Sequence, residues 1–210
     1  MKIKIVVLAG LFLLSFICVA SAVWDKKPEF RFNQLYRFDL RQQNHQLYTN
    51  RLSAAFTYRD REKKALFKLE PFFEARRNVH NGIWERKLLG TEIGRDIFPW
   101  VYLGEAIQKT WIKEDYKYYT NYGKKSHPES ITRLLFSKNL LSGGHIKLKG
   151  FVLDEYTFDF DRGAGICNEV AIGVSSPLNK YVEATINWRH IDRIHYFDSD
   201  TFEASVALIF

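Results

Sequence analysis

Apolar and polar residues alternate along most of the chain after residue 28, and the spacing of an amphipathic helix is rare. Because neighbouring side chains of a β-strand point to opposite faces, this period of two predicts strands with one apolar and one polar face. We expect ten strands, over residues 28–40, 46–60, 64–76, 85–96, 100–112, 130–138, 145–158, 166–176, 180–191 and 202–210. The pattern between residues 100 and 112 does not alternate cleanly, so the facing of Glu105 and Lys109 stays open.

The links between the predicted strands alternate in length. Short links follow the second, fourth, sixth and eighth strands, at residues 60–63, 97–99, 139–144 and 177–179. Most of the other links are longer and more polar, notably residues 74–86, 113–129 and 192–200. An even number of strands with short turns at one end and long loops at the other is typical of outer-membrane barrels.

Two kinds of barrel fit the alternation. In a secreted, lipocalin-like binding barrel the apolar rows point inward, whereas in a transmembrane barrel they point outward to lipid around a polar lumen. The predicted strands are long enough to cross a bilayer at a tilt, and aromatic residues concentrate near strand ends, as in interfacial girdles. We therefore expect an all-β fold with a single antiparallel up-and-down transmembrane β-barrel of about ten strands. The lipocalin-like barrel remains the alternative.

The N-terminus has the layout of an export signal. Lys2 and Lys4 precede an apolar run over residues 5–20, and the small residues Ala20-Ser21-Ala22 stand at its end. This arrangement predicts a cleavable signal peptide at residues 1–22, with cleavage specified by Ala20 and Ala22, and a barrel domain at residues 23–210. Cleavage removes two lysines from a chain of formal net charge +7, and leaves Cys167 as the only cysteine. The mature chain therefore cannot form an internal disulfide.

The last predicted strand places Phe202, Ala204, Val206, Leu208 and Phe210 in one apolar row. Together with the signal peptide and the alternation, this row resembles the final strand of Gram-negative outer-membrane β-barrel proteins as a general class. The resemblance implies localisation in the cell outer membrane, among its lipids and lipopolysaccharide. It also implies that Phe202, Val206, Leu208 and Phe210 form an insertion signal for the barrel-assembly machinery.

The polar rows are rich in arginine and glutamate. The candidate lumen charge cluster comprises Arg51, Glu70, Glu74, Arg76, Glu92, Arg133, Glu155, Glu169, Arg189 and Glu203. If the last hairpin is centred near Tyr196, Arg189 lies opposite Glu203, with Glu169 diagonally across on the preceding strand. Because a barrel of this size has a narrow lumen, such charges can plug it as ion pairs. The alternative is a porin-like, narrow diffusion channel whose charges select small solutes.

Signals for other chemistry are weak. A surface hydrolase would use rim residues, for which the candidates are His190, Asp192, His195, Asp198, Ser199 and Asp200, but no Gly-x-Ser-x-Gly motif accompanies them. We assign no catalytic residue. His80, His127 and His145 are too scattered for a metal site, and no cofactor motif is found.

Tyrosines and lysines interleave over residues 115–125, a pattern that can bind nucleic acid. In an exported protein it favours an extracellular loop near lipopolysaccharide phosphates, with any external ligand unknown. The sequence thus predicts a barrel with a structural or interaction role. The diffusion channel, the surface hydrolase and the soluble binding barrel are the alternatives.

Overall fold

The computed structural model describes residues 23–25, 27–41, 46–60, 62, 64–80, 82–112, 126–143, 147–194 and 198–210. Its strands are β1 (Val23–Trp24), β2 (Glu29–Asp39), β3 (Gln46–Arg59), β4 (Ala65–Asn78), β5 (Trp84–Phe98), β6 (Val101–Ile112), β7 (Ser126–Leu141), β8 (Leu148–Asp159), β9 (Ala164–Pro177), β10 (Val182–Arg193) and β11 (Ser199–Ile209). Within these ranges no helix has the length and apolar character needed to span a membrane.

Strands β2 to β11 form a closed antiparallel barrel. Each strand pairs with its neighbour in sequence, and β11 closes the barrel by pairing with β2. The predicted all-β, ten-stranded, up-and-down fold is therefore confirmed. The two-residue strand β1 is an addition that pairs with β3 beyond the start of β2, where Trp24 lies opposite Tyr58.

Several predicted strand boundaries are wrong, because the strands extend into segments whose sequence predicts loops. The sixth predicted strand, at residues 130–138, is the longer β7, Ser126–Leu141. Strands β4 and β5 take up most of residues 74–86, and β11 begins at Ser199 rather than at residue 202. The end of the barrel where β3, β5, β7 and β9 end and β4, β6, β8 and β10 begin is called the short-turn end, and the opposite end is the loop end.

The barrel wall is apolar outside and mainly polar inside. On β11, for example, Phe202 is 47% exposed on the outer face, whereas Glu203 is fully buried on the inner face. A small apolar cluster of Phe72, Leu88 and Ala106 also lies on the inner side. A lipocalin-type barrel has the reverse distribution, because its apolar rows line the interior. The observed distribution is that of a wall that faces lipid.

Aromatic side chains gather on the outer face near both ends of the strands. At the short-turn end, Trp24, Tyr58 and Phe67 pack together with ring centroids 4.8 to 5.5 Å apart. Toward the loop end, Trp84 is the first residue of β5 and Trp111 is the last but one of β6, and both are exposed. Aromatic belts of this kind mark the two membrane–water interfaces of a transmembrane barrel.

The facing of β6, which the sequence leaves open, is set by its register with β5 and β7. Tyr102, Gln108 and Thr110 belong to the inner row, and the outer row is Leu103, Glu105, Ile107, Lys109 and Trp111. The alternation is obscured because this outer row contains two charged residues.

Candidate functional site in the lumen

Ion pairs run around the inner wall of the barrel and form the candidate site. The chain of contacts, which we call the lumen ring, comprises Arg51, Glu92, Arg133, Glu155, Arg189, Glu203 and Arg37. These residues come from β3, β5, β7, β8, β10, β11 and β2, so the ring ties together most of the circumference. Each member is on the inner face because it occupies the polar row of its strand.

The contacts in the middle of the ring are short. Arg133 Nη1 lies 2.5 Å from Glu92 Oε2, and its Nε donates to Glu155 Oε1 at 2.7 Å. Arg189 Nη1 then reaches the other oxygen, Glu155 Oε2, at 2.6 Å. Glu155 therefore bridges two guanidinium groups with its two carboxylate oxygens.

The ring continues through Glu203 to the strand that closes the barrel. Arg189 Nε donates to Glu203 Oε2 at 3.2 Å, and Arg37 Nε donates to Glu203 Oε1 at 2.5 Å. Glu169 joins from β9, with its Oε2 2.7 Å from Arg189 Nη1 and 3.8 Å from Arg37 Nη2. Because Arg37 and Glu203 are directly paired residues of β2 and β11, this bridge lies across the closing seam.

The register of the last hairpin differs from the prediction. Arg189 is paired with Thr201, and Glu203 is paired with Asn187, so Arg189 and Glu203 are not opposite one another. Their side chains still meet, because long side chains reach diagonal neighbours on the same face of a sheet. Glu169 is paired with Ile191 and is diagonal to Arg189, as predicted.

Arg51 extends the ring on the β3 side with longer contacts. Its guanidinium nitrogens lie 3.7 to 3.8 Å from carboxylate oxygens of Glu70, Glu74 and Glu92. Its Cζ also lies 3.9 Å from the centre of the Phe72 ring. Arg76 completes the predicted set by donating to Glu74 at 2.7 Å.

The structure thus brings all ten residues of the predicted charge cluster onto the inner wall. Arg37 is an addition to that cluster, and it could have been found from its position in the polar row of the first strand. A second addition is a cluster around Glu129, which the sequence places in a loop.

Glu129 is the centre of this second cluster, which lies inside the lumen toward the loop end. It accepts hydrogen bonds from Arg86 Nη2 at 2.5 Å, Gln108 Nε2 at 2.8 Å and Thr110 Oγ1 at 2.8 Å. His127 Nε2 lies 2.6 Å from its other oxygen. Pro128 conceals this site in the sequence, because proline cannot donate to a strand ladder and suggests a loop.

Three of the cavities lined by described residues lie along the lumen. The largest, about 640 Å³, is at the short-turn end and is lined by residues that include Arg31, Lys68 and Trp100. The middle one measures about 180 Å³ beside Arg189. The third, toward the loop end beside Glu129, measures about 60 Å³. These three cavities become smaller toward the loop end.

The rim residues do not form a hydrolase site among the described residues. His190 Nδ1 contacts Asp200 Oδ1 at 2.8 Å on the outer face. Ser199 is buried on the inner face and accepts a hydrogen bond from Arg193. Because His190 and Ser199 belong to opposite faces of the wall, the histidine cannot act as a base for that serine.

Other predicted positions carry no such contact or lie outside the described residues. Phe202, Val206, Leu208 and Phe210 belong to the exposed outer row of β11 and the residue after it, and their role as an insertion signal stays a prediction. Ala20, Ala22, His195 and residues 113–125 lie outside the described residues. Within the described ranges, no group of histidine, cysteine, aspartate and glutamate has the geometry to hold a metal ion.

Comparison with known proteins gives only remote likenesses. No family model and no curated protein matches the chain. Among solved structures, it is similar to a bacterial polysaccharide outer membrane secretin, with a TM-score of 0.48 and 13% identity over 90% of this chain and 68% of that one. It is also similar to a loop-deletion mutant of OmpT, an outer membrane protein of Vibrio cholerae, with a TM-score of 0.26 and 6% identity over 90% of this chain and all of that one. Likenesses at this level carry no argument about function.

Proposed function

We propose that this chain is an integral outer-membrane β-barrel whose lumen is plugged by side-chain ion pairs and whose role is structural or interactive. The plug is inferred from the lumen ring, in which Glu155 and Glu203 each bridge two arginines. The apolar outer wall and its aromatic belts support the membrane placement. Outer-membrane lipid and lipopolysaccharide are the partners that such a wall would contact.

The plug follows from how charges behave in a narrow lumen. A buried carboxylate loses its hydration, and neighbouring guanidinium groups with good geometry offset that loss. Glu203 is fully buried and Glu92 is 3% exposed, so both depend on their arginine partners. Since each bridging group is held from two sides, the ring has little freedom to move aside for a solute.

A narrow diffusion channel is the second candidate, favoured by the row of cavities in the lumen. In that case the ring would be a selective constriction rather than a plug. Ion conductance distinguishes the two functions directly.

Purified protein in planar bilayers should show no discrete channel events, because the lumen ring closes the pore. The double variant Glu155→Ala, Arg189→Ala should produce events, since it removes the side chains that link Arg133 to Glu203. A matched double variant, Glu29→Ala with Arg31→Ala, should stay silent, because that pair is 3.4 Å apart and exposed at the short-turn end. Discrete events from the unmodified protein would instead establish the channel.

The outer row of β11 is proposed to direct insertion by the barrel-assembly machinery. Phe210 is 71% exposed, and its backbone exchanges two hydrogen bonds with Phe30 at the closing seam. Phe210→Asp should therefore lower the amount of heat-modifiable barrel in outer-membrane fractions, measured by immunoblot. Ser205→Asp is the control, because it adds the same charge on the inner face of β11. Equal yields from both variants would argue against the insertion signal.

A further inference from the structure

Three basic side chains lie on the outer face of adjacent strands, toward the loop end. Arg77 is on β4, Lys87 on β5 and Lys109 on β6, and each is exposed. Arg77 is paired with Trp84, and Lys87 is paired with Trp111. Because exposed tryptophans mark a membrane interface, the three cations are placed where the lipid headgroups begin. We call these five residues the basic interface patch.

The side chain of Lys109 is directed toward this interface. Its Nζ lies 5.7 Å from the centre of the ring of Trp111, which is two residues closer to the loop end. A long side chain that reaches in this way keeps its stem in the apolar layer and its charge at the level of the headgroups. Glu105 belongs to the same outer row, four residues deeper, and accepts its hydrogen bond from Thr132.

The patch has no acidic partner on its own surface. Among the described residues, no carboxylate forms an ion pair with Arg77, Lys87 or Lys109. Arg77 uses its Nε for a hydrogen bond to the backbone oxygen of Gly82. Glu85, an acid of the same section, is 3% exposed and so does not belong to the outer surface. Three positive charges therefore face the interface without a counter-charge from the part of the chain that the structure describes.

The opposite side of the barrel differs at the same end. Asp200, on the outer face of β11, accepts a hydrogen bond from Arg41 Nε at 2.7 Å, and its other oxygen lies 2.8 Å from His190 Nδ1. Asp192 on β10 is also exposed there. Acids thus accompany the cations on that side, whereas β4 to β6 present cations alone. An anionic headgroup is attracted to the β4 to β6 section rather than to the side that carries acids.

We propose that the basic interface patch binds the phosphate groups of lipopolysaccharide in the outer leaflet. The inference rests on the proposed outer-membrane placement, in which the loop end meets that leaflet. Lys87 lies directly across from Ala75 on β4 and Trp111 on β6, and Arg77 and Lys109 are each two residues from those partners. Long side chains at such diagonal positions reach one another's space. The three cations can therefore form charge-assisted hydrogen bonds with the phosphates of one headgroup.

The test is binding of lipid A, the phosphorylated anchor of lipopolysaccharide, to the folded mature barrel in detergent, counted by native mass spectrometry. The unmodified protein should bind diphosphorylated lipid A and bind the dephosphorylated form much more weakly. The double variant Lys87→Gln, Lys109→Gln should weaken binding of the diphosphorylated form about twentyfold, because each basic residue beside anionic headgroups contributes about a factor of five. Arg77 is left unchanged, since its hydrogen bond to Gly82 also contributes to the turn.

The double variant Arg95→Gln, Lys138→Gln is the matched control. It removes two exposed cations of the outer face toward the short-turn end and should leave binding of lipid A unchanged. Heat-modifiable migration in detergent gels checks that each variant is folded.

Three results would overturn the inference. Equal binding of phosphorylated and dephosphorylated lipid A would show that the patch does not recognise phosphate. Equal losses in the two double variants would show that binding is not located at the patch. Equal affinity for phosphatidylglycerol would replace lipopolysaccharide with anionic lipid in general. Each of these results, obtained with a barrel that folds and inserts, would leave the membrane placement standing.

Discussion

Replacing Arg189 with methionine should lower the free energy of unfolding by about 3–5 kcal/mol, the cost of breaking a buried ion pair by removing one partner. Arg189 contacts Glu155, Glu169 and Glu203 at 2.6 to 3.2 Å. Methionine fills similar space but leaves three carboxylates in the lumen without their shared cation. Urea unfolding from lipid vesicles, followed by tryptophan fluorescence, measures the change.

Arg31→Met is the control for this result. Arg31 pairs with Glu29 at 3.4 Å near the mouth of the lumen, and both side chains are well exposed. An exposed pair contributes about 0–1 kcal/mol, so this variant should unfold close to the unmodified protein. If Arg189→Met and Arg31→Met were equally stable, the lumen ring would be a set of solvated charges and not a plug.

The positions and faces of most strands could be predicted from the sequence, because alternation of period two reports facing directly. The facing of a strand could not be predicted where one row mixes apolar and charged residues. On β6, Glu105 and Lys109 lie in the outer row and hide the period, although Trp111 in that row marks it as the lipid face. The loss of pattern has a physical origin, because two charged side chains stand in a row that is otherwise apolar.

Pairing across strands could not be predicted as well as facing. Register depends on the length and geometry of each turn, and a shift of two residues preserves which face every side chain occupies. The expected hairpin centre near Tyr196 therefore gave the right face for Glu203 but the wrong direct partner. The contact between Arg189 and Glu203 forms because both side chains are long, not because they are opposite.

The cluster around Glu129 could not be predicted from the sequence for a different reason. A proline within a polar stretch indicates a loop, yet β7 continues through Pro128, which is paired with Lys109 near the loop end. The four side chains that contact Glu129 come from β5, β6 and β7, and only the folded barrel brings them together. No spacing within the sequence could have indicated that arrangement.

Ile186→Arg should destabilise the barrel by about 2–4 kcal/mol in lipid vesicles, the cost of a lipid-facing arginine near the bilayer midplane. Ile186 is 49% exposed in the outer row of β10, flanked by Val174 and Ala204 on the adjacent strands. In water an exposed arginine at this position would cost little, since surface substitutions away from special features change stability by about 0.5 kcal/mol or less. The variant therefore tests directly which solvent the outer wall meets, again by urea unfolding.

Thr185→Arg is the matched control, because it places the same side chain at the adjacent position on the other face of β10. Thr185 lines the cavity of about 640 Å³ at the short-turn end, where there is room for an arginine beside Glu183. Its stability should stay close to that of the unmodified protein. A loss of about 0.5 kcal/mol or less for Ile186→Arg, no larger than that for Thr185→Arg, would mean that the apolar wall does not face lipid. A loss confined to Ile186→Arg would place that wall in the membrane and leave the charged lumen as the side that meets water.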